Sequence, residues 1–382
     1  MLKLLTVIGA RPQIIKASAL SRCIKNKYSD KINDVILHTG QHYDYNMSEV
    51  FINELNVPLP QYNLNCVSEK QGVQTAQMVS GIEEVLEKEK PDYLVLFGDT
   101  NSTLAGAVAA SKTHIPIVHI EAGLRSFDKT MPEEINRIVC DHVSTLLFAP
   151  TQTPIENLKN EGFNLNNKPP FSINNPGIFH CGDIMYDNTR FFLEIAKTKI
   201  QILEKLNINN ENFCLCTIHR VHNTDNKNRL KNILTALYQL SEELAMPFIL
   251  PLHPRTKKKT EEFFPADVYN EWYSSNYFKI VEPISFLEIT LLESLASVVI
   301  TDSGGVQKEA YFMKKPSVVL RKETEWVEII KNKAGALVDD NPDKIKKAVI
   351  DFIKNPCANF PEIFGDGNAA GFMCEKMLEN NN

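Results

Sequence analysis

Residues 115–137 read IPIVHIEAGLRSFDKTMPEEINR, and the reading of this stretch decides the fold. It opens as an apolar, β-branched run, Ile115 to Ile120, then breaks at Ala122-Gly123 into a turn; Pro132 with Glu133 and Glu134 has the composition of a helix start. Carboxylates and arginines therefore gather just past a strand's end, where open α/β sheets place their ligands.

The same unit recurs outward from it. Towards the N-terminus, Leu4 to Gly9 reads as a strand and Ala10-Arg11-Pro12 as a turn, followed by a helical pattern through Ile14, Ile15, Ala19 and Leu20 to Ile24. A strand at Val35 to Thr39 and helices at Met47 to Leu55 and Gln71 to Lys88 follow; a strand at Tyr93 to Phe97 ends in Gly98-Asp99-Thr100 before a helix at Thr103 to Ala110. Leu146 to Ala149 is the next strand. Beyond an Asn- and Pro-rich connector, Asn164 to Gly177, a helix is expected over Tyr186 to Leu206 and strands begin at Phe213, Phe248, Phe278, Ser297, Ser317 and Gly335.

Parallel strands need crossovers, usually helices, so this alternation predicts an α/β fold of two Rossmann-like, doubly wound domains facing across a cleft. The chain has 382 residues, enough for two cores of roughly 150 to 200 residues each. The expected domains are 1–172, carrying the carboxylates, 173–365, and a C-terminal helix and tail, 366–382, packing back on the first.

A net charge of -6 argues against nucleic acid as a main partner. The longest apolar runs are strand-sized, far short of the ~20 residues that span a bilayer, and the N-terminus lacks a secretory pattern. No membrane association and a cytoplasmic location are the expectations. The eight cysteines contain no CxxC pair, so no redox or zinc motif is indicated. His119 and Glu121 form H-x-E, but Phe360 stands where the second Cys of the companion P-C-x-x-C belongs, and no metal is expected.

The chemistry gathers at strand ends. Arg11, Lys16, Arg125, Arg137, His219, Arg220, His253, Arg255 and Arg321 form a cationic set suited to phosphate oxygens. In Asp302-Ser303-Gly304-Gly305 a strand ends in a turn that opens a helix, letting backbone N–H groups approach a diphosphate. The carboxylates are Asp99, Glu121, Glu133, Glu134 and Glu309; Glu133 and Glu134 stand at a helix start, where an acidic residue is more often a cap than a catalyst. Asp99 and Glu121 follow apolar strands, and a carboxylate at a dry rim tends to have a raised pKa suited to proton transfer.

Gly9-Ala10-Arg11-Pro12 with Lys16, Gly98-Asp99-Thr100, His119 to Arg125, Pro132-Glu133-Glu134 with Asn136-Arg137, Thr217-Ile218-His219-Arg220, His253-Pro254-Arg255 and Asp302 to Gly305 closely resemble the non-hydrolysing UDP-N-acetylglucosamine 2-epimerases, in the same order from Leu4 to about Val338. The resemblance implies a glycosyltransferase-B-like fold, usually a homodimer. It also implies interconversion of UDP-N-acetylglucosamine and UDP-N-acetylmannosamine, without nicotinamide or metal cofactor, by elimination of UDP to 2-acetamidoglucal and its re-addition. By that pattern Asp99, Glu121 and Glu133 are acid/base carboxylates around C2, and His219 assists UDP departure and return. Arg11, Lys16, Arg137 and Ser303-Gly304-Gly305 hold the diphosphate, Glu309 the ribose hydroxyls, and Arg321 helps close the site.

The chain also departs from the pattern. His222 replaces a usual Glu, and Thr39 to Ser48 differs from the form that builds a second, regulatory substrate site. That segment and Thr324 to Glu328 look more like a sister group acting on UDP-2,3-diacetamido-2,3-dideoxyglucuronate, in which Trp326 would serve recognition or packing. A UDP-sugar glycosyltransferase and a non-catalytic nucleotide-sugar sensor are the rival functions.

Overall fold

The computed structural model describes residues 1–41, 59–68, 70–208 and 212–380. The helix expected at Met47 to Leu55, and most of the segment assigned to a regulatory site, lie outside the described residues. Two parallel sheets organise the chain. The first contains β1 (Leu2–Ile8), β2 (Ile32–His38), β3 (Tyr62–Asn63), β4 (Tyr93–Phe97), β5 (Ile117–Ile120), β6 (Leu146–Ala149) and β7 (Gly177–His180) in the order β3-β2-β1-β4-β5-β6-β7. The second contains β8 (Cys214–Thr217), β9 (Phe248–Pro251), β10 (Phe278–Val281), β11 (Val298–Thr301), β12 (Ser317–Val319) and β13 (Gly335–Leu337) in the order β10-β9-β8-β11-β12-β13.

Each sheet thus starts in the middle, winds to one edge, returns and winds to the other. The order reverses between β1 and β4 in the first sheet and between β8 and β11 in the second. In such sheets the carboxyl ends at the reversal form a natural crevice, because the two flanking connections leave on opposite faces.

Burial explains the apolar runs. Tyr93, Val95 and Phe97 of β4 enter one core while Leu94 and Leu96 enter the core on the other face, the period of two that a covered strand requires. The helix Asn101–Thr113 packs so closely on this strand that a Cβ on Gly106 would lie 2.6 Å from Leu96 Cδ2. Its run of small residues has that steric cause. The second sheet is covered through Leu230, Ile233, Leu234 and Leu237 of the helix Lys227–Leu244 and Ile345 and Val349 of Pro342–Lys354.

The compact units are Met1–Asn188 with Glu362–Asn382, and Thr189–Pro361. The division expected at 172 therefore moves, because the Asn- and Pro-rich connector does not leave the first sheet: β7 follows it and pairs with β6 from Leu146↔Gly177 to Ala149↔His180. The C-terminal helix Ala369–Glu379 buries Met373, Cys374 and Met377 in the first unit's core. Asp187 accepts hydrogen bonds from Ala369 N and Ala370 N, both at 3.0 Å, and so caps it. The long helix expected from Tyr186 is broken: Ile184–Ala196 passes into a 3-10 turn at Lys197–Lys199, where Thr198 Oγ1 donates back to the Ile195 carbonyl. No helix among the described residues is long and apolar enough to cross a membrane.

Candidate functional site

The first unit's reversal point is built from the ends of β1, β4 and β5. Register sets Phe97 opposite Ile120, so Gly98-Asp99 and Glu121 leave the sheet side by side. Both turns use left-handed backbone, with φ 62° at Gly98 and 69° at Glu121. Only glycine adopts it without cost, so at Glu121 the surrounding structure must hold the backbone in place.

Three successive carbonyls at the end of β4 are each taken by a side chain. Phe97 O accepts from Gln13 Nε2 at 3.0 Å and Thr103 Oγ1 at 2.8 Å, Gly98 O lies 2.8 Å from His119 Nε2, and Asp99 O accepts from Asn136 Nδ2 at 2.8 Å. Gln13 Oε1 in turn accepts from Gly9 N at 2.9 Å, which ties the end of β1 into the same network.

The Asp99 carboxylate receives Arg137 through Nη2 at 2.6 Å and Nε at 3.0 Å, while Glu121 Oε2 is ion-paired with Lys16 Nζ. The Asp99 side chain keeps 35% of its exposure and that of Glu121 only 8%, so the second is the desolvated one. Each of the two carboxylates has a cation on it. Burial alone would lower the Lys16 pKa, but the Glu121 charge and hydrogen bond, with the charges of Asp99 and Asp183, raise it above the ordinary lysine value. Lys16 is therefore charged at neutral pH.

Glu133 and Glu134 begin the helix Pro132–Val143 and part ways. Glu134 is buried, accepts from Ser126 N and Phe127 N at 2.9 Å each, and binds Arg137 Nη1 at 2.8 Å. It holds the preceding loop and steers the arginine towards Asp99. Glu133 is exposed, as is Arg11, which opens the helix Arg11–Cys23.

Arg125 is buried on Asp141, with Nη1 at 2.8 Å, and on Glu161, with Nε at 2.6 Å. It braces the loop and is not a phosphate ligand in this arrangement. Asp141 also accepts from Gly123 N at 3.0 Å and meets His119 Nδ1 at 2.6 Å. Sequence reading missed Asp141 and Gln13, and quoted Asn136 in a motif without giving it a role. The available signal was Asp141 itself, a carboxylate directly after the apolar run Ile138-Val139-Cys140.

The second unit's reversal point is arranged differently. Thr217 pairs with Thr301 in register, so Asp302 emerges beside His219. Asp302 is buried and accepts from His219 N at 3.0 Å, Arg220 N at 3.1 Å and Asn223 Nδ2 at 3.0 Å. It organises the turn after β8. Burial lowers the His219 pKa below the ordinary histidine value; the Asp302 charge opposes this and His253 reinforces it, so the imidazole is neutral at pH 7.

Ser303 caps the helix Gly304–Phe312, its Oγ accepting from Val306 N at 3.5 Å. Gly304 and Gly305 supply the first N–H groups of that helix, which have no intrahelical partner. Arg321 stands beside them in a bidentate pair with Glu325, both contacts 2.8 Å. Trp326 is buried with Lys308 Nζ 4.2 Å from its ring centroid, and its indole Nε1 would lie 3.7 Å from a Cβ on Gly304. Glu309 lies half-buried on the same helix; burial first, and the Glu309 charge second, raise the fully buried Glu293 carboxyl well above its usual range. No cluster of His, Cys, Asp and Glu that could hold a metal ion occurs among the described residues.

Comparison with known proteins gives a consistent picture. The family model described as UDP-N-acetylglucosamine 2-epimerase matches residues 25–378. A UDP-N-acetylglucosamine 2-epimerase homolog of Methanococcus maripaludis is 45% identical over 371 residues, covering 97% of each chain. The UDP-2,3-diacetamido-2,3-dideoxy-D-glucuronate 2-epimerase of Pseudomonas aeruginosa is 42% identical over 379 residues, covering 99% of this chain and all of that protein. The crystal structure of the Methanocaldococcus jannaschii UDP-GlcNAc 2-epimerase, in complex with UDP-GlcNAc and UDP, superposes with a TM-score of 0.78 at 42% identity, covering 99% of this chain and 100% of that one.

Proposed function

The chain belongs to the UDP-N-acetylglucosamine 2-epimerase family of isomerases, and from that premise we propose that it inverts C2 of a UDP-2-acetamido-hexose without hydrolysing it, UDP-N-acetylglucosamine being the first choice of substrate. The observation that carries this reading is the pair of carboxylates, Asp99 and Glu121, each already bonded to a cation at the end of adjacent strands.

C2 of such a sugar is a weak acid, so its proton leaves with the UDP group only if a base is placed at C2 and the developing phosphate charge is met elsewhere. In the first unit Asp99, Glu121 and the exposed Glu133 are the bases. A diphosphate reaching Lys16 and Arg137 competes with Glu121 and Asp99 for those cations, which frees the carboxylates as the substrate binds, and Arg11 adds a further charge for it. In the second unit the Ser303-Gly304-Gly305 N-terminus and Arg321 bind the diphosphate and Glu309 the ribose. His219, neutral at pH 7, assists UDP departure and return by hydrogen bonding.

A second substrate, UDP-2,3-diacetamido-2,3-dideoxyglucuronate, is favoured by the 42% identity to the P. aeruginosa enzyme. Incubation in deuterated water with each UDP-sugar, and no acceptor, tests both. Deuterium at C2 together with the epimer supports the reading, and the faster substrate is the true one. Binding without exchange would point to a sensor, and turnover only with an added acceptor to a glycosyltransferase. The same reading carries a cytoplasmic homodimer supplying cell-surface polysaccharide precursors; the mass of the protein in solution and cell fractionation test the first two.

A further inference from the structure

His119 is fully buried on β5, two residues before Glu121. Its Nε2 lies 2.8 Å from the Gly98 carbonyl oxygen, which can only accept, so that nitrogen carries a proton. Its Nδ1 lies 2.6 Å from Asp141 Oδ1, while Asp141 Oδ2 accepts from Gly123 N at 3.0 Å and is ion-paired with Arg125 Nη1 at 2.8 Å. A carboxyl that takes a backbone N–H and is ion-paired with a guanidinium is ionised, so Nδ1 donates as well. A ring that donates from both nitrogens is an imidazolium.

The groups facing the ring are Cys140 and Asp141 from the helix Pro132–Val143 and the Gly98 carbonyl at the end of β4; Arg125 acts on it through Asp141. Burial on its own would lower the ring's pKa, but Cys140 and Asp141 outweigh it and hold His119 well above the ordinary histidine value. Gly98 has no side chain by which to be fixed, and its φ of 62° belongs to a turn that must be held from outside. Its N–H donates to the Ile120 carbonyl at 2.9 Å, and its carbonyl faces His119, so both of its polar groups are bound to β5.

We infer that His119 is a positioning residue for the chemistry at C2: a permanently charged imidazolium that grips the Gly98 carbonyl and thereby fixes the turn carrying Asp99. It touches no substrate. The inference rests on the proposed roles of Asp99 and Glu121, and it gives His119-x-Glu121 a use unconnected with metal.

Histidine-labelled protein read by 15N NMR should show both ring nitrogens of His119 protonated, with no titration from about pH 6 to 8. A neutral ring, or titration near the ordinary value, overturns the inference. His119→Gln should lower the rate of C2 deuterium exchange about 10- to 100-fold while UDP affinity changes less than about twofold. An unchanged rate, or an equal loss of UDP affinity, overturns it.

Asp141→Asn removes the charge that holds the second proton and keeps the shape. In that variant His119 should titrate within the accessible range, and exchange should decline as pH rises through that titration. An exchange rate that ignores the titration overturns the inference even if the His119 variant fails to fold. If the unaltered protein exchanges no deuterium with either UDP-sugar, it is the proposed function that fails, and the protonation state of the ring then decides this inference alone.

Discussion

The two units share one strand order, yet their reversal points are furnished in opposite ways. In the first, the carboxylates just beyond the strands each carry a cation: Asp99 with Arg137, Glu121 with Lys16. In the second, the carboxylate at the equivalent strand end, Asp302, is buried on backbone N–H groups, and a helix N-terminus with Arg321 beside it is what the turn presents. Under the proposed function, the contrast puts the bases in the first unit and the helix N-terminus for the diphosphate in the second. A single sheet design supports both because the strands fix only the place, while the first residues beyond them fix the chemistry.

The contrast is broken most directly at its carboxylates. Asp99→Asn and Glu121→Gln should each reduce C2 deuterium exchange by about 10³-fold or more with UDP binding retained by calorimetry; exchange at the wild-type rate would remove that residue from the acid/base set. A smaller effect of the opposite kind is expected at Gly304. A Cβ there would stand 3.4 Å from Glu325 Oε2 and 3.7 Å from Arg321 Nη1, so the protein folds, but the space in front of the helix N-terminus is occupied. Gly304→Val should raise KM about 10-fold or more with kcat nearly unchanged, and a kcat defect with normal KM would place the diphosphate elsewhere.

Gly98→Ala sharpens the difference. Its Cβ would meet Glu121 Oε2 at 3.3 Å and Lys16 Nζ at 3.4 Å in a backbone of positive φ. The expected loss is about 1 kcal/mol of stability and about 10-fold in kcat, with KM kept, as measured by denaturant titration and exchange kinetics.

The smallest effect lies outside both sites. Burial, against the hydrogen bonds from Ala370 N and Ala369 N, raises the Asp187 pKa to about 6. A carboxyl raised above its unfolded value contributes stability below that unfolded value, and the contribution is lost as pH rises through about 6. Asp187→Asn leaves one oxygen for the two N–H groups at every pH but removes the titration, so its Tm relative to the unaltered protein should be about 2–4 °C more favourable at pH 8 than at pH 3; a difference of the opposite sign would contradict the assignment.

The sheets were legible because their strands are covered on both faces and read as continuous apolar runs. β3 was not, since Tyr62 and Asn63 have no apolar run and are a strand only by pairing with Leu37 and His38. At the site, residues just after strands were visible by position, as Asp99, Glu121 and Ser303 show. The roles of their supports were not visible, for the converse reason: Gln13, Asn136 and Asp141 sit within helices and reach Phe97, Asp99 and His119 across 84, 37 and 22 residues, and only the register of β1, β4 and β5 brings them there.

The helix Ala369–Glu379, anchored by Asp187 and buried in the first core, has a consequence for how the protein is made. Pieces of the first unit lie on both sides of the second in sequence, so a ribosome releases the whole of Thr189–Pro361 before the helix Ala369–Glu379 of the earlier core exists. Until then the apolar surface that will receive Met373, Cys374 and Met377 stays uncovered, although the uninterrupted second unit can already have folded. Final closure of the first core is a contact between residues nearly the full chain length apart, and the slowest step of maturation is expected there.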